Sequence, residues 1–165
     1  MKSMKKLAVV LLTAVMALSL LTACGGGGGG ASNGFVDASD EFTKAINTKL
    51  TEGSSNIQVT YDVELSKKAY NVWVAYAKQL QAGKSDEEAK QNAMTANSLS
   101  KDKYYIALYA EENPSAYGIQ AAARSIAPQI AAQNEAGKKA KNIGYVTLVN
   151  KYKQPIGIFA LVECE

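Results

Sequence analysis

Apolar residues recur along this chain with two different periods, and the switches between them predict its elements. In residues 39–50, Phe42, Ala45, Ile46 and Leu50 mark one face of a short amphipathic helix, with Ser39 or Asp40 placed to cap it and Gly53 beyond its end. Ile57–Tyr61 reads as extended, and Asp62 is placed to cap the next helix. The widest stripe, Leu65, Ala69, Val72, Trp73, Tyr76, Ala77 and Leu80, runs through residues 63–82, stops at Gly83 and carries the one tryptophan, which predicts the core helix. Ser85-Asp86-Glu87-Glu88 has capping-box spacing and opens a third helix to about Asn97, with a face of small residues at Ala89, Ala93 and Ala96 beside Met94. Tyr104–Tyr109 is aromatic and β-branched as strands are, but it lacks clean alternation, which leaves a helix open. Residues 115–137 return to helical spacing with Ile119, Ile126 and Ile130, and Pro128 predicts a kink or two shorter helices there.

The last segment carries the clearest β signal, two runs rich in Val, Ile, Tyr and Phe. Ile143–Asn150 and Ile156–Glu163 are apolar on both faces and are separated by Lys151-Tyr152-Lys153-Gln154-Pro155, as in an antiparallel hairpin. A hairpin apolar on both faces needs helices over each of them. The expected architecture is therefore α+β: helices packed on a small antiparallel sheet as an α-β-α sandwich, closed by a C-terminal β-hairpin. Residues 35–165 suit a single domain.

The N-terminus follows another pattern. Lys2, Lys5 and Lys6 precede Leu7–Leu21, which carries no charge. That stretch makes about 22 Å of helix at ~1.5 Å per residue, short of the ~30 Å hydrocarbon core, and so reads as a signal-peptide segment rather than a stable span. Leu21-Thr22-Ala23-Cys24 closes it and resembles the bacterial lipoprotein signal at every position of the lipobox. The resemblance implies that residues 1–23 are removed and that Cys24 becomes the lipid attachment site, with two or three acyl chains holding the protein to the extracytoplasmic face of a cell membrane. Gly25–Gly30 and the residues to Gly34 then form a tether, with an r.m.s. reach of roughly 17 Å for a Gly-rich coil of that length. No Lys-Ser/Thr follows the glycines and no strand precedes them, so they do not make a phosphate loop.

Cleavage there changes the charge picture. The whole chain is formally +3, but three of its 18 Lys and Arg lie in the first six residues, leaving 15 cations against 15 acids. A neutral domain gives no footprint for nucleic acid. Lys138, Lys139 and Lys141 form one basic cluster, read as a solvated helix end. With Cys24 acylated, Cys164 has no partner in the chain and no internal disulfide is expected. As the penultimate residue it reads as a strand-end thiol, with an intermolecular disulfide as the alternative.

The order of elements resembles the CAP superfamily (cysteine-rich secretory, antigen 5 and pathogenesis-related proteins). The residues that carry the likeness are Ile46-Asn47 on the first helix, Asp62-Val63-Glu64-Leu65 leading to Ala69, Glu111-Glu112-Asn113, and the paired strands around Ile143-Gly144-Tyr145 and Ile158-Phe159-Ala160. The resemblance implies a ligand cleft in which Glu112 stands for a cleft acid and Asn113 follows it. The metal-binding histidines of that family have no counterpart, because the chain has no histidine. Neither a metal nor a cofactor is therefore expected.

Without histidine, Ser-His-Asp and Cys-His nucleophiles are excluded. Glu111 and Glu112 are adjacent, a spacing that suits neither glycosidase geometry, and the adjacent pairs Ser66-Lys67 and Ser100-Lys101 do not point together. The expectation is a protein that is not an enzyme: a binding or structural module whose groove uses Glu112, Asn113, Tyr105 and Tyr109. Its ligand would be an envelope glycan, a lipid or a protein, since tyrosines stack on sugars and peptides and equally fill cores. The alternatives are a carboxylate-dependent envelope hydrolase and a small immunity or phage-exclusion lipoprotein.

Overall fold

The computed structural model of the chain describes residues 41–53 and 55–165; Cys24 and the residues expected to form a signal segment and a tether lie outside them. Helix α1 is Glu41–Glu52, followed by strand β1 (Thr60–Tyr61), helices α2 (Val63–Gln81) and α3 (Asp86–Ala96), strand β2 (Tyr104–Ala110), a 3-10 turn at Pro114–Ala116, helix α4 (Ile119–Glu135), and strands β3 (Ala140–Val149) and β4 (Pro155–Cys164). The fold is α+β, with helices on both faces of one four-stranded sheet ordered β1-β3-β4-β2. The C-terminal hairpin is its centre. β4 pairs antiparallel with both β3 and β2, so a two-sided apolar pattern becomes two buried faces.

One face holds α2 and α3, where Trp73 and Tyr76 pack on Phe159 with ring centroids 5.3 and 5.7 Å apart. The other holds α1 and α4, where Phe42 meets Tyr145 edge-on at 4.7 Å and Ile126 and Ile130 fill the space beneath. All seven residues of the α2 stripe are buried, so the helical period did report the core face. Capping follows the sequence as well. Asp62 accepts from the Leu65 N–H at 2.9 Å and Ser85 from the Glu88 N–H at 3.3 Å, while the Glu88 carboxylate pairs with Lys84.

Three expectations need correction. The sheet is mixed rather than purely antiparallel, because β1 runs parallel to β3, with Thr60 opposite Asn142 and Tyr61 opposite Ile143. Of the two outcomes expected at Pro128, the split into two shorter helices does not occur: the residue lies inside one helical element, on the exposed side, where water can take the Arg124 carbonyl that lost its donor. That helix starts at Ile119, since residues 114–116 form a separate 3-10 turn capped by Asn113.

Two glycines bring elements unusually close. A Cβ on Gly144 would lie 2.2 Å from the backbone at Leu65 and Ser66, so glycine here lets the start of α2 rest directly on β3. The Ser66 hydroxyl uses that proximity to accept the Tyr145 N–H at 3.0 Å. At Gly157 a Cβ would meet the Tyr109 carbonyl at 2.4 Å.

Candidate functional site: the open edge of β2

Strand β2 is an outer strand of the sheet, flanked by α3 on one face and α4 on the other. Two adjoining concavities of about 570 and 690 Å³ run along it, and both are lined by Lys90 and Gln129. Tyr104, Tyr105 and Ile106 line the first; Leu108, Tyr109 and Ala110 line the second.

The backbone of this edge is the main chemical feature. Lys103 and Glu111 turn theirs toward β4: the Lys103 carbonyl accepts from the Cys164 N–H at 2.8 Å, and the Glu111 N–H donates to Ile156 at 2.7 Å. Alternation in an antiparallel ladder therefore points the N–H and C=O of Tyr104, Ile106, Leu108 and Ala110 outward. The Tyr104 N–H donates to the Ser100 carbonyl at 2.9 Å. Leu108 is met by the Gln129 side chain. The Gln129 amide donates to the Leu108 carbonyl at 3.0 Å and its oxygen accepts the Leu108 N–H at 3.2 Å, the two bonds a neighbouring strand would make. A further bond to the Ser125 carbonyl at 3.0 Å holds the amide against α4.

The residues expected to form a groove meet here in part. Tyr105 is 7% exposed, and its hydroxyl has no hydrogen-bond partner among the described residues; burial, then the neighbouring Cys164 thiol, pushes the phenol far up, so it remains a neutral hydroxyl. Tyr109, Glu112 and Asn113 all line the second concavity. The Tyr109 hydroxyl is 3.2 Å from Glu111 Oε1 and 3.4 Å from the Ala116 carbonyl, and desolvation ahead of the Glu111 charge raises its pKa. Asn113 accepts the Ser115 N–H at 3.0 Å, so its oxygen is committed to the turn, while Glu112 is exposed.

Charge divides the groove into two ends. Lys101 and Lys138 stand at the Tyr104 end, where Lys138 donates to the Lys101 carbonyl at 2.8 Å. Asp86, Glu111 and Glu112 stand at the Ala110 end. Asp86 takes the Tyr76 hydroxyl at 2.6 Å and pairs with Lys90 at 2.7 Å. No group of three or more His, Cys, Asp or Glu suited to a metal occurs among the described residues. Cys164 is buried at the end of β4, with burial raising its pKa, which makes it a poor thiolate.

Behind the basic end, Glu163 ties three strands. It accepts from Asn142 on β3 at 2.7 Å and from Tyr104 on β2 at 3.1 Å, and it pairs with Lys103 at 3.1 Å. The Asn142 amide first, then Lys103 and Tyr104, holds its carboxyl below the usual range. Gln129, which closes part of the edge, carries no signal in the sequence: it is one glutamine in an alanine-rich helix. No protein-family model, curated protein or solved structure matches the chain.

Proposed function

We propose that the protein is a membrane-anchored extracytoplasmic lipoprotein that acts as a non-catalytic binding module, holding an envelope component in the groove along β2. The observation that carries the binding reading is a seven-residue strand edge between two helices, with outward-pointing backbone groups and a buried tyrosine hydroxyl that has no partner among the described residues. The lipobox at Cys24 supports the location. No helix among the described residues is long and apolar enough to cross a membrane, so the acyl chains on Cys24 are the anchor this reading needs. The likeness to the CAP superfamily supports the reading through the order of elements and the helices on both sheet faces.

Two measurements test it. Cells fed an alkyne fatty acid should label the protein, and Cys24→Ser should abolish the label and the membrane association; label retained by the variant would overturn the anchor. Amine acetylation should then be slower at Lys101 and Lys138 in intact cells than in the purified lipoprotein, with Lys67 and Lys84 reacting equally in both. Equal reaction at all four would overturn the groove as the occupied surface.

A second reading, a carboxylate-dependent envelope hydrolase, draws on the meeting of Asp86, Glu111 and Glu112 at one concavity. Asp86 and Glu111 already serve Tyr76, Lys90 and Tyr109, which leaves Glu112 as the reactive acid. Release of soluble fragments from purified envelope, lost in Glu112→Gln, would replace the binding reading with this one.

A further inference from the structure

Resting on the reading of the β2 groove as a binding surface, we propose that its occupant is an extended peptide segment that adds to β2 as a fifth strand and displaces the Gln129 amide from Leu108. The slot beside β2 is where the next strand of the sheet would lie. Ile106 presents an outward N–H and C=O in its middle, Leu108 presents a second such pair two residues on, and the spacing between them is that of a strand ladder. Gln129 shows that this edge accepts the pattern, because one side-chain amide already makes both bonds there. A side chain held by a single further bond to the Ser125 carbonyl can be exchanged for a backbone that makes the same two bonds and continues to Ile106.

The buried Tyr105 hydroxyl lacks a hydrogen-bond partner among the described residues, and Tyr105 lines the groove. A buried hydroxyl without a partner is unfavourable, and a small turn of the Tyr105 side chain would bring it to a carbonyl of an added strand.

The surroundings define the peptide. Along the first concavity the α3 side offers Met94 and Leu99, and the α4 side offers Ala132 and Gln133. Side chains of an added strand alternate between these sides, so apolar residues should alternate with small polar ones. Lys101 and Lys138 at one end and Glu111 and Glu112 at the other call for an acid and a base at opposite ends of the segment.

The test uses the lipidated full chain in nanodiscs with three synthetic peptides that differ only at their ends: Glu-Val-Thr-Val-Thr-Val-Lys, its all-Glu-ended form and its all-Lys-ended form. The mixed-charge peptide should bind best and should slow hydrogen exchange at the Ile106 amide. N-methylation of its alternate amides, which spares every side chain, should weaken binding about tenfold or more if backbone pairing carries the contact. Gln129→Ala should tighten binding several-fold by clearing the edge. Three results would each overturn strand addition: no binding to either the wild type or Gln129→Ala, equal binding of the N-methylated peptide, or a concentration-dependent dimer that shuts the peptide out. If Lys101 and Lys138 are still protected in cells when no peptide binds, the binding module stands and strand addition alone falls; if protection is absent too, both fall.

Discussion

Each outer strand of the sheet carries a carboxamide on its free side, and the two ends of the sheet use it differently. At the β1 edge, Asn47 of α1 donates to the Val59 carbonyl at 2.9 Å and accepts the Val59 N–H at 2.9 Å. At the β2 edge, Gln129 of α4 does the same for Leu108 at 3.0 and 3.2 Å. The chemistry is identical, but the lengths are not. β1 has two residues, and the Asn47 amide covers Val59 just before it; β2 has seven, and the Gln129 amide covers one of its four outward positions. Val59 is 3% exposed, whereas Leu108 lies on the wall of an open groove. One edge meets the core at Val59, and the other is covered at Leu108 and at the Tyr104 N–H, which leaves Ile106 and Ala110 facing the groove.

The hardest break of this comparison comes from the β1 side. Gly144→Ala places a methyl 2.2 Å from the α2 backbone, which cannot move without disturbing the Ser66–Tyr145 bond and the β1–β3 pairing beside it. We expect a loss of about 3 kcal/mol or more, read as a shifted urea midpoint. A variant as stable as the wild type would mean that α2 is free to lift from β3.

Next in size is Asn47→Leu, which keeps the volume and strands the buried Val59 N–H and C=O. Its cost should be roughly 2 kcal/mol. The matching change on the other edge, Gln129→Met, should cost about 1 kcal/mol or less, since water in the groove can serve Leu108. The ratio of the two is the informative number. Equal costs would erase the distinction between the two edges. In the absence of any peptide, Gln129→Met should also raise amide exchange at Leu108 more than at any residue of β1.

The smallest effect concerns the tie between the β2 edge and the interior of the sheet. Glu163 reaches Asn142 on β3 and Tyr104 on β2, and its pKa is lowered in the folded protein. A group depressed on folding contributes stability above its unfolded value, about 4.3, and loses it as the pH falls through the folded value. Stability measured from pH 6 downward should therefore decline partly through this residue. Glu163→Gln should flatten that decline while lowering stability at neutral pH; an unchanged acid limb would show that the tie is not electrostatic.

Much of the local structure was legible in particular residues. The α2 stripe, the Asp62 and Ser85 caps and the two hairpin strands follow from periodicity and from side chains that bond within three or four positions. Pro128 did not split its helix, because a proline signals a missing donor but does not say whether its face meets water. The groove was legible only as a set of aromatic and polar residues near β2. Tyr105, Tyr109, Glu112 and Asn113 do line it, but Gln129, 21 positions from Leu108, had no mark to distinguish it from its neighbours.

By itself the sequence determined the helical stripe of residues 63–82, the two extended runs of the C-terminal hairpin, which faces of these are apolar, and that no histidine chemistry is available, while it left residues 104–109 open between strand and helix. Those properties rest on a residue and its near neighbours along the chain. Tertiary structure alone decided that β1 runs parallel to β3, that β2 is left at the edge, and that Asn47 and Gln129 stand in for absent strands. A period reports that a face must be buried but not against what; only the packed sheet fixes which backbone groups find a strand, which find a side chain, and which remain free for a partner.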